Sequence, residues 1–576
     1  MAFAAAAPAR ADVTVEGVED EALMERIGAV LPSEDAPENR TQALRQARDA
    51  AGRIEALLRS QGYYGADIQP RAVGDEEGED FTPQVTVDPG PRFTVRLLEY
   101  DVAGGGEADA AVEPPPLEDP IIAVGDPLVA DNVLAEEAAA VARLRLGGYP
   151  DAAPQPRRVV VDHAGADASV TYNIDPGRPA VFGDLVIESE DAEIRRPWAE
   201  RLVPFEPGEP YTPTDMETLS TRLSGTGAFD TVSVRLAPSE EGEGPERRDV
   251  IAEIVEGDRH TVELGGGYGT SEGVRLEGEW TRRNMFGGAE ALTLSAVAAT
   301  MERSARAEIR APHFFRPNRT ARTSIEGIQE ETDAYDRIAA IFAAGAEQPL
   351  SDTLTASLGV LLEQSQVEDF QTGKRDFSLV SFPGELRFDN TRDLLNPQRG
   401  FRAALQLEPG TATGDSDLTF VRTVFSVSAY QKILDGPELV MAERIRVGGI
   451  YGAAAPDLPA DRRFYAGGGG SVRGYAYQSL GPQDALGNPT GGRSLLEMSV
   501  EARFKVTETW GGVVFADAGT ARRGDIPDFA DLRVGAGVGV RYYTAFGPIR
   551  ADVGFPLDKR TGDRGYEFYL SIGQAF

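Results

Sequence analysis

Alternation of apolar and polar residues over segments of about ten residues is the feature that most restricts the fold of this chain. From Thr261 onward such segments recur between polar turns, as along Arg533–Tyr542, where apolar residues alternate with Arg and Gly. A period of two is typical of β-strands with two different faces. About sixteen such segments begin near residues 261, 273, 289, 303, 318, 333, 353, 376, 401, 418, 438, 494, 509, 532, 546 and 566.

These segments predict an all-β transmembrane barrel of about 16 antiparallel strands. No run of about 18 apolar residues exists, so a membrane role falls to strands. A lipid-facing apolar side opposite a polar lumen is what an outer-membrane barrel requires. A soluble β-sandwich or propeller is the alternative, with its apolar residues turned inward. The Gly-rich loop at residues 451–493 and the terminal Phe576 favour the barrel, since loops of that length are uncommon unless functional.

The first half of the chain contains a threefold repeat. Its units close at Gly90, Gly177 and Gly257, each one or two residues after an acidic side chain. Each unit reads as strand, two amphipathic helices and two strands, which predicts small α+β domains of β-α-α-β-β order at 12–90, 91–177 and 178–257, followed by the barrel at 258–576. Residues 1–11 carry small residues where a signal peptidase cleaves and are expected to be a signal-peptide remnant.

Composition excludes several classes of function. The chain has a net charge of -36, and residues 1–259 alone hold 52 acidic and 23 basic side chains, so no basic footprint for nucleic acid exists. The absence of Cys removes disulfides and thiolate metal ligands. The three His residues lack metal-ligand spacing, and the Gly-rich runs complete no phosphate-binding loop. We expect no enzyme activity, no cofactor and no metal; for the acidic stretch 75–80, weak Ca²⁺ binding stays open beside a solvated loop.

Two carboxylates are expected side by side on the inner face of the barrel. Glu501 shares its parity with Glu497 and Ser499, and Asp517 lies on the next strand with Phe515. Residues of one parity share one face of a strand, so Glu501 and Asp517 face the lumen on adjacent strands.

The long loop contains Val472-Arg473-Gly474-Tyr475, and Phe515-Ala516-Asp517-Ala518-Gly519 follows it. In this order the motifs resemble those of the bacterial outer-membrane protein assembly factor superfamily, which includes BamA, TamA and the two-partner secretion transporters. The tandem N-terminal units resemble POTRA domains. The resemblance implies that Arg473 folds into the lumen and pairs with Asp517 and Glu501. An Arg fork suits two carboxylates; the alternative is a solvated loop with an ordinary Arg.

Three repeats point to the TamA branch, the translocation and assembly module subunit, because BamA relatives usually carry five and two-partner transporters two. The resemblance implies a barrel in the bacterial outer membrane, in contact with its lipid, with the N-terminal domains in the periplasm. The implied function is to insert and translocate outer-membrane proteins such as autotransporters. Implied partners are unfolded clients and a TamB-like protein anchored in the inner membrane. A general BamA-type insertase or a dedicated two-partner secretion transporter is the alternative.

The first and last strands are expected to meet at a weak seam. Gly265, Gly266 and Gly267 lie in the first strand and Phe576 ends the last, and Gly weakens strand pairing. Gly is equally expected where a barrel wall bends. The last seven residues resemble the signal by which barrels are recognised for assembly, or serve only as a lipid-facing strand. A passive porin and a surface adhesin are the rival functions outside the class.

Overall fold

A computed structural model describes residues 10–11, 13–31, 34–74, 81–102, 120–189, 193–240, 242, 244–435, 438–544, 547–572 and 574. The chain divides into two compact units: Met1–Val186, Pro204–Leu219 and Val234–Ala252 form one, and Ile187–Val203, Ser220–Ser233 and Glu253–Phe576 form the other. Within these described ranges, each helix is too short or too polar to cross a bilayer.

The N-terminal part is built of small sheets with helices. Its elements are β1 (Arg10–Ala11), β2 (Thr14–Glu16), α1 (Glu21–Val30), β3 (Glu34–Asp35), α2 (Arg40–Ser60), β4 (Asp67–Gly74), β5 (Phe81–Asp88), β6 (Thr94–Asp101), α3 (Ala130–Leu146), β7 (Ala153–Asp162), β8 (Asp167–Asp175), β9 (Ala180–Glu188), α4 (Arg196–Glu200), α5 (Pro213–Ser224), β10 (Phe229–Leu236) and β11 (Glu246–Glu256). The three-stranded sheets have the orders β2-β5-β4, β6-β8-β7 and β10-β11-β9. These are small α+β units of the expected kind.

The first of these units shows how the sequence produces the fold. Asn39 caps α2 by accepting a hydrogen bond from the Gln42 backbone N–H, which satisfies one of the free donors at a helix N-terminus. The apolar stripe of α2, including Ile54 and Leu58, is fully buried against Val85 of β5. The predicted domain boundaries stay predictions. Of the proposed signal-peptide remnant, residues 1–9 lie outside the described residues, while β1 pairs with β3.

The second part is a closed antiparallel barrel. Its strands are β12 (His260–Gly269), β13 (Gly273–Arg282), β14 (Ala291–Ala299), β15 (Glu302–Ala311), β16 (Thr320–Glu331), β17 (Asp336–Pro349), β18 (Leu354–Asp369), β19 (Gly373–Ser381), β20 (Gly384–Asp389), β21 (Gly400–Gly414), β22 (Leu418–Asp435), β23 (Glu438–Tyr451), β24 (Ser494–Lys505), β25 (Trp510–Arg522), β26 (Arg533–Thr544), β27 (Gly547–Pro556) and β28 (Glu567–Ile572).

Strands β19 and β20 share one position in the barrel wall, since both pair with β18 on one side and β21 on the other. They are separated at Phe382-Pro383, where proline has no N–H for the ladder. The described wall therefore has sixteen strand positions. The predicted fold class, including about 16 antiparallel strands, is confirmed.

The two faces of the wall separate as the alternation predicts. On β18, Leu358 is 69% exposed on the outer face, whereas Glu363 is 5% exposed on the inner face. The alternative of a soluble sandwich, with apolar residues inward, is wrong because the apolar rows lie outside.

The long connection between β23 and β24 is a packed plug with its own short 3-10 helix, η1 (Ala460–Arg462). Its side chains Phe464, Val472 and Leu480 are at most 2% exposed. They share one buried cluster with wall residues such as Phe377 and Phe420. The loop is thus held by apolar packing in addition to polar contacts.

Candidate functional site: the loop tip and the barrel seam

The inner face of β24 and β25 presents the predicted carboxylates as neighbours. Ser499 stands opposite Asp517 in the antiparallel register, and Glu501 follows two residues later on the same face. Glu501 is completely buried and Asp517 is 1% exposed. Alternation alone places both side chains on the lumen side, because successive residues of a strand point to opposite faces.

Arg473 descends from the loop onto these carboxylates. Its Nε donates to Asp517 Oδ2 at 2.7 Å and its Nη2 to Asp517 Oδ1 at 2.9 Å, which is a two-point fork. Its Nη1 donates to Glu501 Oε1 at 2.6 Å. The guanidinium also lies 3.5 Å from the ring centroid of Phe515. The structure therefore brings together the three charged residues that the sequence singled out, and the alternative of a solvated loop arginine is excluded by a side chain that is 2% exposed.

The network extends to residues that the sequence analysis missed. Asp552 of β27 lies 3.3 Å from Arg473 Nη1 and pairs with buried Arg541 of β26. Glu501 also accepts a bond of 2.8 Å from Arg503 Nε. Arg550 Nη1 also lies 4.0 Å from Asp552 Oδ2, so four guanidinium groups meet three carboxylates. Each buried carboxylate therefore has a cationic partner, which a dehydrated cluster requires. The alternation of β27 places Asp552 inward, but only the fold shows that it lies beside Arg473.

The neighbours of Arg473 seat the loop tip. Val472 is completely buried, and Gly474 adopts a φ of +98° that favours glycine. A Cβ on Gly474 would lie 2.8 Å from the Phe555 carbonyl carbon, so the backbone approach also excludes a side chain. The Tyr475 hydroxyl donates to Val534 O at 3.0 Å. All four residues of the predicted loop motif therefore contact the wall.

Glycines of the wall form the seat beneath this tip. A Cβ on Gly535 of β26 would lie 2.0 Å from Arg473 O, and one on Gly554 of β27 would lie 2.6 Å from Gly474 N. Real Cβ atoms do not approach other atoms so closely, because the interior is packed at van der Waals contact. The tip can therefore rest on the wall only where these strands lack side chains.

A second anchor holds the start of the loop and was not predicted. Arg463, whose side chain is 1% exposed, donates from Nη2 to Asp369 Oδ2 at 2.9 Å. Its Nη1 donates to Thr490 O at 3.0 Å, which ties the start of the loop to its end. Arg462 beside it pairs with Glu363 of β18. The two anchors lie on β18 and β25, six positions apart in the sixteen-position wall, so the loop crosses the lumen.

The predicted seam is short. Between β12 and β28 the described residues form two register pairs, Tyr268 with Leu570 and Gly269 with Tyr569. By contrast, all ten residues of β12 pair with β13. The Thr270 backbone N–H adds a bond of 3.0 Å to Phe568 O just beyond the strand.

The predicted seam residues lie partly inside and partly outside the short segment where β12 meets the described part of β28. Gly265 and Gly266 pair with Glu277 and Leu276 of β13, away from the described part of β28. Gly267 approaches β28 closely, since a Cβ there would lie 3.2 Å from Leu570 O. Phe576 lies outside the described residues. All six described residues of β28 pair with β27, whereas two of them pair with β12.

Among the residues that the structure describes, no group of three or more His, Asp or Glu side chains is arranged to hold a metal ion. His313 is 6% exposed in the turn between β15 and β16, where its Nε2 contacts Arg222 O at 2.8 Å. The Asn318 backbone N–H donates to its Nδ1 at 2.9 Å. These contacts are those of a structural histidine.

Comparison with known proteins supports this geometry. Residues 284–576 match the model of the Omp85 superfamily domain. The outer membrane protein assembly factor BamA of Nitratidesulfovibrio vulgaris is 24% identical over 424 residues, covering 71% of this chain and 53% of the relative. BamA of Neisseria meningitidis serogroup B is 23% identical over 480 residues, covering 70% and 58%. The chain thus spans about half the length of the curated relatives that it matches.

A solved structure shows the same fold. The crystal structure of BamA from Haemophilus ducreyi lacking POTRA domains 1-3 superimposes with a TM-score of 0.69 at 17% identity, covering 83% of this chain and 99% of that one.

Proposed function

The chain belongs to the Omp85 superfamily, and from that premise we propose that it is an outer-membrane assembly factor that helps to insert and translocate outer-membrane proteins such as autotransporters. The observation that carries the proposal is the seam: only two register pairs join the described parts of β12 and β28. The part of the β12 edge that faces β28 without pairing to its described residues is then available to pair with a strand of a client by β-augmentation. The free energy of client folding into lipid drives insertion, so no nucleotide is needed.

The clamped loop supports this function better than it supports a porin. The buried plug and its two charged anchors cross the lumen, so we expect small and unstable currents in a planar bilayer, whereas an open porin conducts steadily. Since a passive channel has no use for a weak seam, the plugged lumen and the two described register pairs between β12 and β28 agree with assembly.

The N-terminal units serve in this proposal as a periplasmic arm. The edge strand β7 exposes Val159 and Val160, 39% and 45% accessible, beside an unpaired backbone edge in the described sheet. Such an edge binds a partner through backbone hydrogen bonds and therefore tolerates varied sequences, which suits unfolded clients. A TamB-like protein anchored in the inner membrane is the proposed partner of the TamA branch.

A disulfide across the seam tests the proposal. The chain has no Cys, so Tyr268→Cys with Leu570→Cys introduces one pair at a register position, within the geometry that a disulfide tolerates. We expect the oxidised protein in liposomes to stop inserting a client barrel, measured by heat-modifiable mobility of the client, and reduction to restore insertion.

The matched control is Val540→Cys with Ala551→Cys, a register pair between β26 and β27 that the proposal leaves closed. Insertion at the parent rate with a locked seam would refute the proposal.

A general BamA-type insertase is the second candidate, because the curated relatives and the solved structure of like fold are named BamA. Depletion of the protein in cells separates the two. Loss of autotransporter display alone supports the TamA branch, whereas a general fall in outer-membrane barrels supports the BamA type.

A further inference from the structure

A cleft at the rim of the barrel collects arginines in a strongly acidic protein. It has a volume of about 360 Å³ and lies between Gly481-Pro482 of the long loop and the adjoining ends of β25 and β26. Arginines at positions 522, 523, 533 and 560 line it, against a single acidic lining residue, Asp531. The whole chain carries 93 acidic and 57 basic side chains, so this local excess of positive charge is unusual for the molecule.

Most of these guanidinium groups lack a buried carboxylate partner. Arg523 makes no side-chain hydrogen bond or ion pair with any residue that the structure describes. Arg533 has one long contact, from Nη1 to Asp558 O at 3.4 Å. Arg560 donates from Nη2 to Ser479 O at 2.6 Å, while its buried Nε has no hydrogen-bond partner among the described atoms.

The carboxylates at the cleft compete only weakly with an incoming anion for the arginines. Arg522 Nη1 lies 2.7 Å from Asp531 and its Nε 3.3 Å from Asp528, but these aspartate side chains are 79% and 53% exposed. Asp563 differs, because its side chain is 13% exposed and accepts from the Arg560 backbone N–H at 2.7 Å, yet its Oδ2 stands 3.9 Å from Arg560 Nε. Exposed ion pairs hold their partners loosely, because water screens both charges and the side chains lose entropy on pairing. An incoming anion can therefore replace Asp528 and Asp531 beside Arg522.

We propose that this cleft binds a phosphate group, carried by a phosphorylated sugar headgroup of a surrounding glycolipid or present as free phosphate. Guanidinium forks match the oxygens of phosphate by paired hydrogen bonds, and the volume lies at the lower end of that of small-molecule sites. The outer rim of the barrel places the cleft at the level of headgroups. A phosphate bridging Arg523, Arg533 and Arg560 ties the last loop of the barrel to the β25–β26 connection.

Binding by the purified full-length protein tests this site. The probes are a diphosphorylated, acylated glucosamine disaccharide in detergent micelles, the same compound without its phosphates, and inorganic phosphate alone. The variant Arg523→Ala/Arg533→Ala removes two cleft guanidinium groups. Arg303→Ala is the control, since it removes an exposed arginine at the outer end of β15 that does not line the cleft.

We expect the phosphorylated compound to bind the parent and Arg303→Ala within a factor of two of each other, and to bind the double variant at least tenfold more weakly. The compound without phosphates should not bind. If inorganic phosphate alone binds with the same dependence on Arg523 and Arg533, the site stands and free phosphate is its ligand.

Absence of binding by both phosphate probes, or equal affinity in parent and double variant, overturns the proposal. Arg523→Ala alone guards against misfolding of the double variant, because its side chain makes no hydrogen bond or ion pair with a described residue. We expect this single variant to weaken binding about threefold while its heat-modifiable mobility stays that of the parent. Client insertion is measured in parallel, and loss of phosphate binding with normal insertion separates this site from the proposed function.

Discussion

Two sides of the same barrel wall carry ion pairs of nearly equal length in different surroundings. On the side that holds the loop, Arg473 lies 2.7 Å from Asp517, and both side chains are at most 2% exposed. On the opposite side, Arg306 of β15 lies 2.6 Å from Glu308, with 42% and 18% exposure. Contact distance is therefore no guide to the importance of a pair. Burial is the better guide, because a buried charge that loses its partner keeps the whole free-energy cost of its desolvation.

The largest expected effect is at Arg473. Removal of its guanidinium in Arg473→Ala leaves Asp517 without an ion-pair partner and should cost about 3 to 5 kcal/mol in the free energy of unfolding. Heat-modifiable mobility and a denaturant titration of the purified protein measure it.

Charge reversal sharpens the test. Arg473→Glu and Asp517→Arg should each impair folding and surface display of an autotransporter, and the double variant should partly restore both. Parent-like behaviour of all three would remove the loop from its assigned role.

The second anchor should have the next largest effect. Arg463→Ala removes a charged hydrogen bond to Asp369 and the tie to Thr490 O, but Asp369 keeps the backbone N–H groups of Gln371 and Thr372 as donors. We expect a loss of about 1.5 to 3 kcal/mol, as for hydrogen bonds to charged groups. Arg463→Lys keeps the charge without the fork and should recover only part of it. A denaturant midpoint equal to the parent's for both variants would contradict the anchor.

A wall glycine tests the seat without touching any charge. The added methyl group of Gly535→Ala would lie 2.0 Å from Arg473 O, so the loop tip must move and the cost should be about 1 to 3 kcal/mol. Gly327→Ala in β16 is the control, because nothing lies within 4 Å of its added Cβ. Limited proteolysis of the long loop should be faster in Gly535→Ala alone. Equal rates would show that the tip does not rest on this glycine.

The sequence predicted those parts of the barrel that depend on local periodicity. The sixteen predicted starts agree with the strand positions because alternation and polar turns repeat along the chain. The interruption at Pro383 was not foreseen, since one continuous strand satisfies the same pattern.

The site was predicted where alternation and a family motif coincide, at Arg473, Glu501 and Asp517. Arg463 and Asp369, 94 residues apart, carry no shared local pattern, so only the closed fold brings them together. The same holds for Asp552, 79 residues from Arg473.

The exposed pair Arg306–Glu308 of β15 should contribute least to stability among these ion pairs. Arg306→Ala is expected to change the free energy of unfolding by about 0.2 to 1 kcal/mol, and addition of salt should reduce even that difference because exposed charges are screened. A denaturant titration at low and high salt measures both. A loss as large as that of Arg473→Ala would break the comparison between the two sides of the wall.

The smallest expected effect concerns a buried group that has no opposite charge beside it. Burial, with Arg222 and Arg310 nearby, lowers the pKa of His313 below its ordinary value of 6.5. Below pH 6.5 the His313 ring is therefore protonated in the unfolded chain but stays neutral in the folded turn. The stability that neutral His313 supplies is full above pH 6.5 and decreases as the pH falls below that value.

His313→Asn should remove this dependence while tolerating the φ of +54° found there. His163→Asn is the control, because its ring lies outside the turn. Thermal unfolding between pH 7.5 and 5 measures the difference, and an unchanged slope in His313→Asn would show that another group titrates. In that case burial would determine the contribution of the charged pairs of the wall to stability, but not that of the neutral His313 ring. The comparison between buried and exposed groups would then hold for ion pairs alone.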